Sequence, residues 1–207
     1  MSFKTNLLNK LTTNKILYVS GWWILSSAAG QLLSPESSTP EIQLANGSSY
    51  VILDQTLRLS QGSQIGFSFR TCISTGKLFR DASDLISVSL AEAGGVRLSL
   101  GTGQDTKNVT VGSNLADGLW HTVRLSVYTD SLCVSVDSWT DVCVGGELSA
   151  RLDYLALLSN EQTASPLQVG EGLVGCIRSG PQFLLPQNPS IPGIVAGTCN
   201  LPQSCSG

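Results

Sequence analysis

The segment DGLWHTVRLSV, Asp117–Val127, contains His121, the one histidine in 207 residues. A catalytic histidine needs a nucleophile and an orienting carboxylate in reach. No GxSxG elbow or comparable serine signature accompanies it. In WHTVRLSV, His121 shares odd parity with Val123, Leu125 and Val127. In a regular strand all four point the same way, so the expectation is a structural histidine at the edge of an apolar face, held by a hydrogen-bond partner.

Carboxylates are the next groups that could do chemistry. Glycosidases need an Asp/Glu pair across a cleft. No ExDxxE-like spacing occurs, and Glu92, Asp105, Asp117, Asp130, Asp137, Asp141 and Glu147 are scattered through turn-like contexts. Solvated turn carboxylates are expected. Calcium needs several oxygen ligands converging from loops. Asp105, Asp137, Asp141 and Asp153 are candidates, but no DxDxDG run organises them.

Six cysteines lie at 72, 133, 143, 176, 199 and 205, without a CxxC pair. One histidine cannot complete a Cys/His zinc site, so disulfides are expected in a secretory context. Cys133 and Cys143 flank the turn DSWTD symmetrically and share a parity opposite to Val134, Val136, Val142 and Val144. They can face each other across one hairpin if the Cα separation allows, with Cys72 as a competing partner for either. Asn46-Gly-Ser and Asn108-Val-Thr are N-glycosylation sequons, while Asn188-Pro-Ser is excluded by its proline.

The elements that must carry these residues are short strands. IGFSFRT, LISVSL, VRLSL and VRLSV alternate apolar and polar side chains. Gly94-Gly95 permits a tight hairpin between LISVSL and VRLSL. LCVSV and DVCVG form another hairpin, and LDYLALL (152–158) reads as a strand buried on both faces. Charged residues make up only 13% of the chain, which removes long solvated helical faces and suits an all-β sandwich or barrel. Residues 1–30 carry Lys4, Lys10 and Lys15, an apolar run Ile16–Leu25 and then small residues. That order matches a secretory signal peptide, the alternative being a non-domain N-terminal segment. Residues 31–40 read as a linker. Net charge is −3, and −6 without the three N-terminal lysines. A nucleic-acid partner is therefore disfavoured. Arg70, Lys77 and Arg80 cluster in sequence, but Asp81 and Asp84 follow, and a solvated loop explains them.

NGSSYV, SQIGFSFRT, SVSLAEAGGVRLSLGTG, DGLWHTVRLSV, LCVSVD and GLVGCIR, followed by Cys199, together resemble the laminin G-like (LNS) family over residues 41–199. The DGxWHxV and GCIR elements together carry most of the specificity. The resemblance implies a concanavalin-like jelly-roll β-sandwich of two antiparallel sheets. It implies that Trp120 and His121 are fold-defining and that Cys176 pairs with Cys199. It also makes Cys205 look like the first cysteine of a following EGF-like module, so that 200–207 would begin that module or form a tail. Many family members bind calcium at the sandwich rim through an Asp opening a DLGSG-like segment. Here the segment is SLGTG, with Ser99 at that place. A neutral hydroxyl is a poor ligand for a hard cation, which counts against the one cofactor the resemblance leaves open.

The reading that follows is a non-catalytic extracellular module. It would be secreted or on the outer face of the plasma membrane, and would recognise protein or glycan partners through rim loops in adhesion or matrix organisation. Membrane attachment would come only through another part of the parent protein. The alternative is a carrier for a small apolar, steroid-like ligand between the sheets, with Ser68, Ser99 and Thr122 as candidate polar anchors. A carbohydrate-active enzyme is disfavoured by the missing carboxylate pair.

Overall fold

The computed structural model describes residues 39–53, 61–101, 106–145, 166–187 and 189–205. The expected signal peptide, the strand expected at 152–158, and Asp105, Glu147 and Asp153 lie outside the described residues.

The described elements are strands: β1 Glu41–Leu44, β2 Val51–Leu53, β3 Gln64–Thr71, β4 Lys77–Asp81, β5 Ile86–Leu90, β6 Val96–Leu100 and β7 Lys107–Val111. They continue with β8 His121–Val127, β9 Ser131–Val136, β10 Val142–Gly145, β11 Leu167–Val169, β12 Gly175–Arg178 and β13 Ile194–Ala196. One sheet runs β10-β9-β8-β3-β12-β1-β13 and the other β2-β11-β4-β5-β6-β7. Their pairings are antiparallel. This is an all-β jelly-roll sandwich.

Alternation explains which side chains fill it. Ile65, Phe67 and Phe69 of β3 are buried, and so are Ile86 and Val88 of β5, Val96, Leu98 and Leu100 of β6, and Val123, Leu125 and Val127 of β8. Between them Ser68, Ser87 and Ser99 are half-buried and Arg97 is exposed. The inner faces of the two sheets meet at an aromatic centre. Phe67 of β3 lies 5.6 Å edge-on from Phe79 of β4, and Phe183 packs on both at 4.8 and 5.9 Å. Such rings bury large apolar areas and gain from offset or edge geometry. The β5–β6 turn closes through Gly94 N–H to Ala91 O (2.7 Å) and Ala91 N–H to Gly95 O (2.8 Å), with Gly94 at φ 71°.

The long-range order brings distant loops to one end. β8 is antiparallel to β3, so His121 pairs with Phe69 near the C-terminal end of β3. β9 is antiparallel to β8, which returns Val136 and the β9–β10 turn to that same end.

Candidate functional site

His121 opens β8 and is 7% exposed. Both ring nitrogens are engaged by carboxylates: Nδ1 is 2.7 Å from Asp137 Oδ2 and Nε2 is 3.0 Å from Asp117 Oδ1. Asp137 comes from the β9–β10 turn at φ 52°, and its Oδ1 also accepts the Thr122 N–H at 2.7 Å. Asp117 Oδ1 accepts the Leu119 N–H at 2.8 Å. The Phe69 ring lies 5.6 Å away on the inner side. Burial alone would lower the imidazole pKa, but hydrogen bonds and charge from Asp137 and Asp117 outweigh it and raise the pKa above its ordinary value. Burial likewise works against the Asp117 carboxylate, yet the Leu119 N–H and His121 hold it below its ordinary value. With both nitrogens turned to carboxylates, His121 presents neither to a nucleophile. What the cluster can do is tie the β7–β8 loop to the β9–β10 turn.

Asp117 and Asp137 depart from the solvated turn carboxylates expected in that each binds a buried imidazole, although their side chains stay 40% and 37% exposed. Asp81 departs likewise: it is buried, and its Oδ1 accepts the Ile86 N–H at 2.7 Å. Glu92, Asp130 and Asp141 are exposed.

A second fastening lies beside the first. Arg70 is buried rather than part of a solvated basic loop. Its Nε donates to Gly118 O and its Nη2 to Leu201 O, each at 2.6 Å. These bonds draw residues 199–205 across the end of β3, where Cys205 bonds to Cys72 with Cα atoms 5.4 Å apart. Cys205 is thus bonded to Cys72 among the described residues. Cys133 bonds to Cys143, directly opposite it in the β9–β10 register. Cys176 bonds to Cys199. Trp120 lies under the Arg178 guanidinium, 3.9 Å from ring centroid to Cζ. Arg178 also donates to Glu41 Oε2 from Nε at 2.9 Å, with Nη2 2.8 Å away, and Glu41 Oε1 accepts the Cys199 N–H. Lys77 and Arg80, the other members of the basic cluster, form ion pairs with Glu171 at 3.3 and 2.9 Å and with Asp84.

The loops fastened in this way carry large exposed apolar side chains: Ile73 after β3, Leu119 before β8 and Trp139 in the β9–β10 turn, the last two more than half exposed. Sequence reading passed over these three. Their signal is an apolar residue inside a turn-like segment, which alternation rules do not score.

Ser99 sits on the outer face of the six-stranded sheet, between Ser87 and Asn108 in register. It lines an open groove of about 590 Å³ with Ser89, Arg97, Lys77 and Asp84. The two cationic side chains Lys77 and Arg97 line the same groove, and Asp84 is taken up by Lys77 and Arg80. This donor set does not fit calcium, which needs several convergent anionic or carbonyl oxygens. Asn108 is exposed in the same groove, and Asn46 is exposed in the β1–β2 turn.

Ser68 Oγ and Thr122 Oγ1 bond to each other at 3.0 Å on the outer side of the seven-stranded sheet. None of the three serine and threonine candidates faces the space between the sheets, which the phenylalanine cluster occupies. The carrier reading loses its polar anchors.

The Laminin G domain profile matches residues 69–179. The human and mouse "Cadherin EGF LAG seven-pass G-type receptor 3" proteins are each 31% identical over 157 residues, 68% of this chain but 4% of those receptors. Among solved structures, the LG1-3 region of the laminin alpha2 chain superposes with a TM-score of 0.58 at 18% identity, covering 77% of this chain and 35% of that one. A heptameric SAP-like pentraxin from Limulus polyphemus gives 0.53 at 12% identity, covering 79% and 98%. These structural likenesses establish the shared sandwich. The profile match spans more than half the sequence, and the chain belongs to the laminin G domain family.

Proposed function

We propose that this domain is a non-catalytic extracellular recognition module, engaging a protein or glycan partner in adhesion or matrix organisation through the loops at one sandwich rim. Laminin G domains are typically extracellular binding modules, and three disulfides suit an oxidising compartment. The observation that carries the choice of surface is the fastened rim: Ile73, Leu119 and Trp139 stand exposed on loops held by the Cys72–Cys205 bond, the Arg70 contacts and the Asp117–His121–Asp137 clamp. Exposed aromatic and aliphatic anchors on rigid loops suit binding, because little conformational entropy is lost on association. A glycan on Asn108 would stand over the outer face of the six-stranded sheet and leave the rim as the accessible surface. In this reading residues 1–30 direct export, and any membrane attachment belongs to another part of the parent protein.

The test is a screen of extracellular receptors and glycans with protein produced in the secretory pathway, with calcium and with chelator. Chelator-insensitive binding that Trp139→Ala weakens by about tenfold or more, a loss of about 1.4 kcal/mol, is the expected result. Binding that requires calcium, or that is indifferent to Leu119→Glu and Trp139→Ala together, would overturn the assignment of the rim.

A further inference from the structure

The β1–β2 turn places Asn46 at a groove of about 530 Å³, lined by Ser48, Ser49, Tyr50, Ile52, Ile191, Pro192 and Gly193. Tyr50, Ile52 and Ile191 are exposed at 40%, 50% and 36%. Asn46 Oδ1 accepts from Ser48 N–H (3.3 Å) and Ser48 Oγ (2.9 Å), and lies 2.8 Å from Ser49 Oγ, whose single proton it shares with a second acceptor. Ser49 Oγ lies 2.9 Å from Pro192 O as well, which joins the turn to the segment before β13. The carbonyl half of the amide is thus committed to the turn, while Nδ2 makes no hydrogen bond among the described residues. Nδ2 lies against Gly193, at φ 81°, where a Cβ would come within 2.8 Å of it. The missing side chain at Gly193 is what lets the amide pack there, and Asn46 as a whole remains exposed.

From this geometry we infer that Asn46 carries an N-linked glycan whose first sugar residues seat in this groove, covering Tyr50, Ile52 and Ile191. Nδ2 forms a bond to the anomeric carbon of an oligosaccharide carried on a polyprenyl diphosphate. The bond from that carbon to the diphosphate oxygen breaks, the lipid diphosphate leaves, and Nδ2 gives up one of its two protons. The Ser48 hydroxyl supplies the third position of the sequon, and its bond to Oδ1 in the folded turn is retained, because Oδ1 takes no part in the linkage. The groove is apolar on the Tyr50, Ile52 and Ile191 side and polar on the Asn46, Ser48 and Ser49 side. An N-acetylglucosamine has the same division: C–H groups on its ring faces, which gain by leaving water, and hydroxyl and acetamide groups at its edges. Tethering to a groove residue makes this contact intramolecular, so it needs little intrinsic affinity. The occupant is then the chain's own modification, and this apolar surface is shielded rather than offered to a partner.

The assignment rests on export through the secretory pathway, as the proposed function does. The test uses the full chain secreted from cultured animal cells. Glycopeptide mass spectrometry reads occupancy at Asn46, and amide hydrogen exchange is compared for the intact glycoprotein, a form trimmed to one N-acetylglucosamine, and the unsubstituted chain secreted from cells whose lipid-linked oligosaccharide synthesis is blocked by tunicamycin, which leaves the Asn46 turn and its hydrogen bonds intact. The expected result is occupancy at Asn46. Exchange in Asn46–Leu53 and Ile191–Ile194 should be slower by roughly tenfold in both glycosylated forms than in the glycan-free chain, equivalent to about 1.4 kcal/mol of local stabilisation. Secretion with Asn46 bare overturns the assignment and leaves the extracellular reading standing. Occupancy without a difference in exchange overturns the seating in the groove. Failure of export overturns both readings.

Discussion

The Arg178 guanidinium lies 3.9 Å above the Trp120 ring and at the same time grips Glu41 Oε2 through two nitrogens. Trp120 and Arg178 flank β3 from either side, and Glu41 begins β1 beyond them. The stack and the fork depend on a planar, delocalised cation, which lysine does not provide. Arg178→Lys should therefore lower unfolding stability by about 1 kcal/mol, and Trp120→Ala by more, since the ring's packing is lost as well. Urea titrations of both variants check this. A lysine variant as stable as the parent would show that charge alone matters here.

His121 should leave a signature in stability against pH. Its pKa is raised in the folded state above the ordinary value of 6.5. Its contribution is therefore fully present below that value and is lost as pH rises through the folded pKa. Asp117 has the opposite sign: its pKa is held below 3.8, so its contribution is present above that value and lost as pH falls through the depressed one. The stability gap between the parent and His121→Gln should be widest between these two limits and should shrink toward alkaline pH. A gap that grew from about pH 6 to pH 9 would contradict the double-carboxylate clamp.

The three disulfides should differ in worth. Cys72–Cys205 closes a separation of 133 residues and Cys133–Cys143 one of 10. On the chain-entropy account the first stabilises by about 5 kcal/mol and the second by about 3. Calorimetry of Cys72→Ala/Cys205→Ala beside Cys133→Ala/Cys143→Ala should show the larger loss in the first pair. The reverse order would mean that the tail is held mainly by Arg70.

Gly175 opens β12 opposite Thr71, and a Cβ there would stand 2.6 Å from Arg70 O. The obstacle is backbone in a central strand, with no flexible end to move aside. Gly175→Ala should cost about 2 kcal/mol or more, read as a lower melting temperature at unchanged disulfide content. Parent-like melting would show that β3 and β12 can separate at that point.

The faces of β3, β5, β6 and β8 are legible in the sequence because period-2 alternation is a local property. Phe67, Phe69, Val88, Leu98 and Leu125 all lie where their parity puts them. The pairing of β1 with β12 and β13 is not legible, since strands more than 100 residues apart leave no mutual pattern. The partners of His121 lie close in sequence, Asp117 four residues before it and Asp137 16 after, but strand alternation says nothing of where loop side chains point. Its parity points the ring inward, but Asp137 arrives on a separate turn and at a left-handed backbone angle. Cys72 gives no local hint of Cys205, and Arg70 reads as surface charge until its two carbonyl acceptors, Gly118 and Leu201, are brought to the end of β3. Alternation likewise assigns no role to Ile73, Leu119 and Trp139, which sit outside the strands.

The Cys72–Cys205 bond also determines how the domain carries load. A pull applied between Glu41 and Cys205 runs from Cys205 through sulfur directly into Cys72, at the end of β3 in the interior of the seven-stranded sheet. The chain from β4 to β13 lies inside that covalent loop and is bypassed. Only the segment from β1 to β3 stands in the path of tension. Extension then releases at most the residues between Glu41 and Cys72, a mechanical fuse whose length is set by one sulfur–sulfur bond.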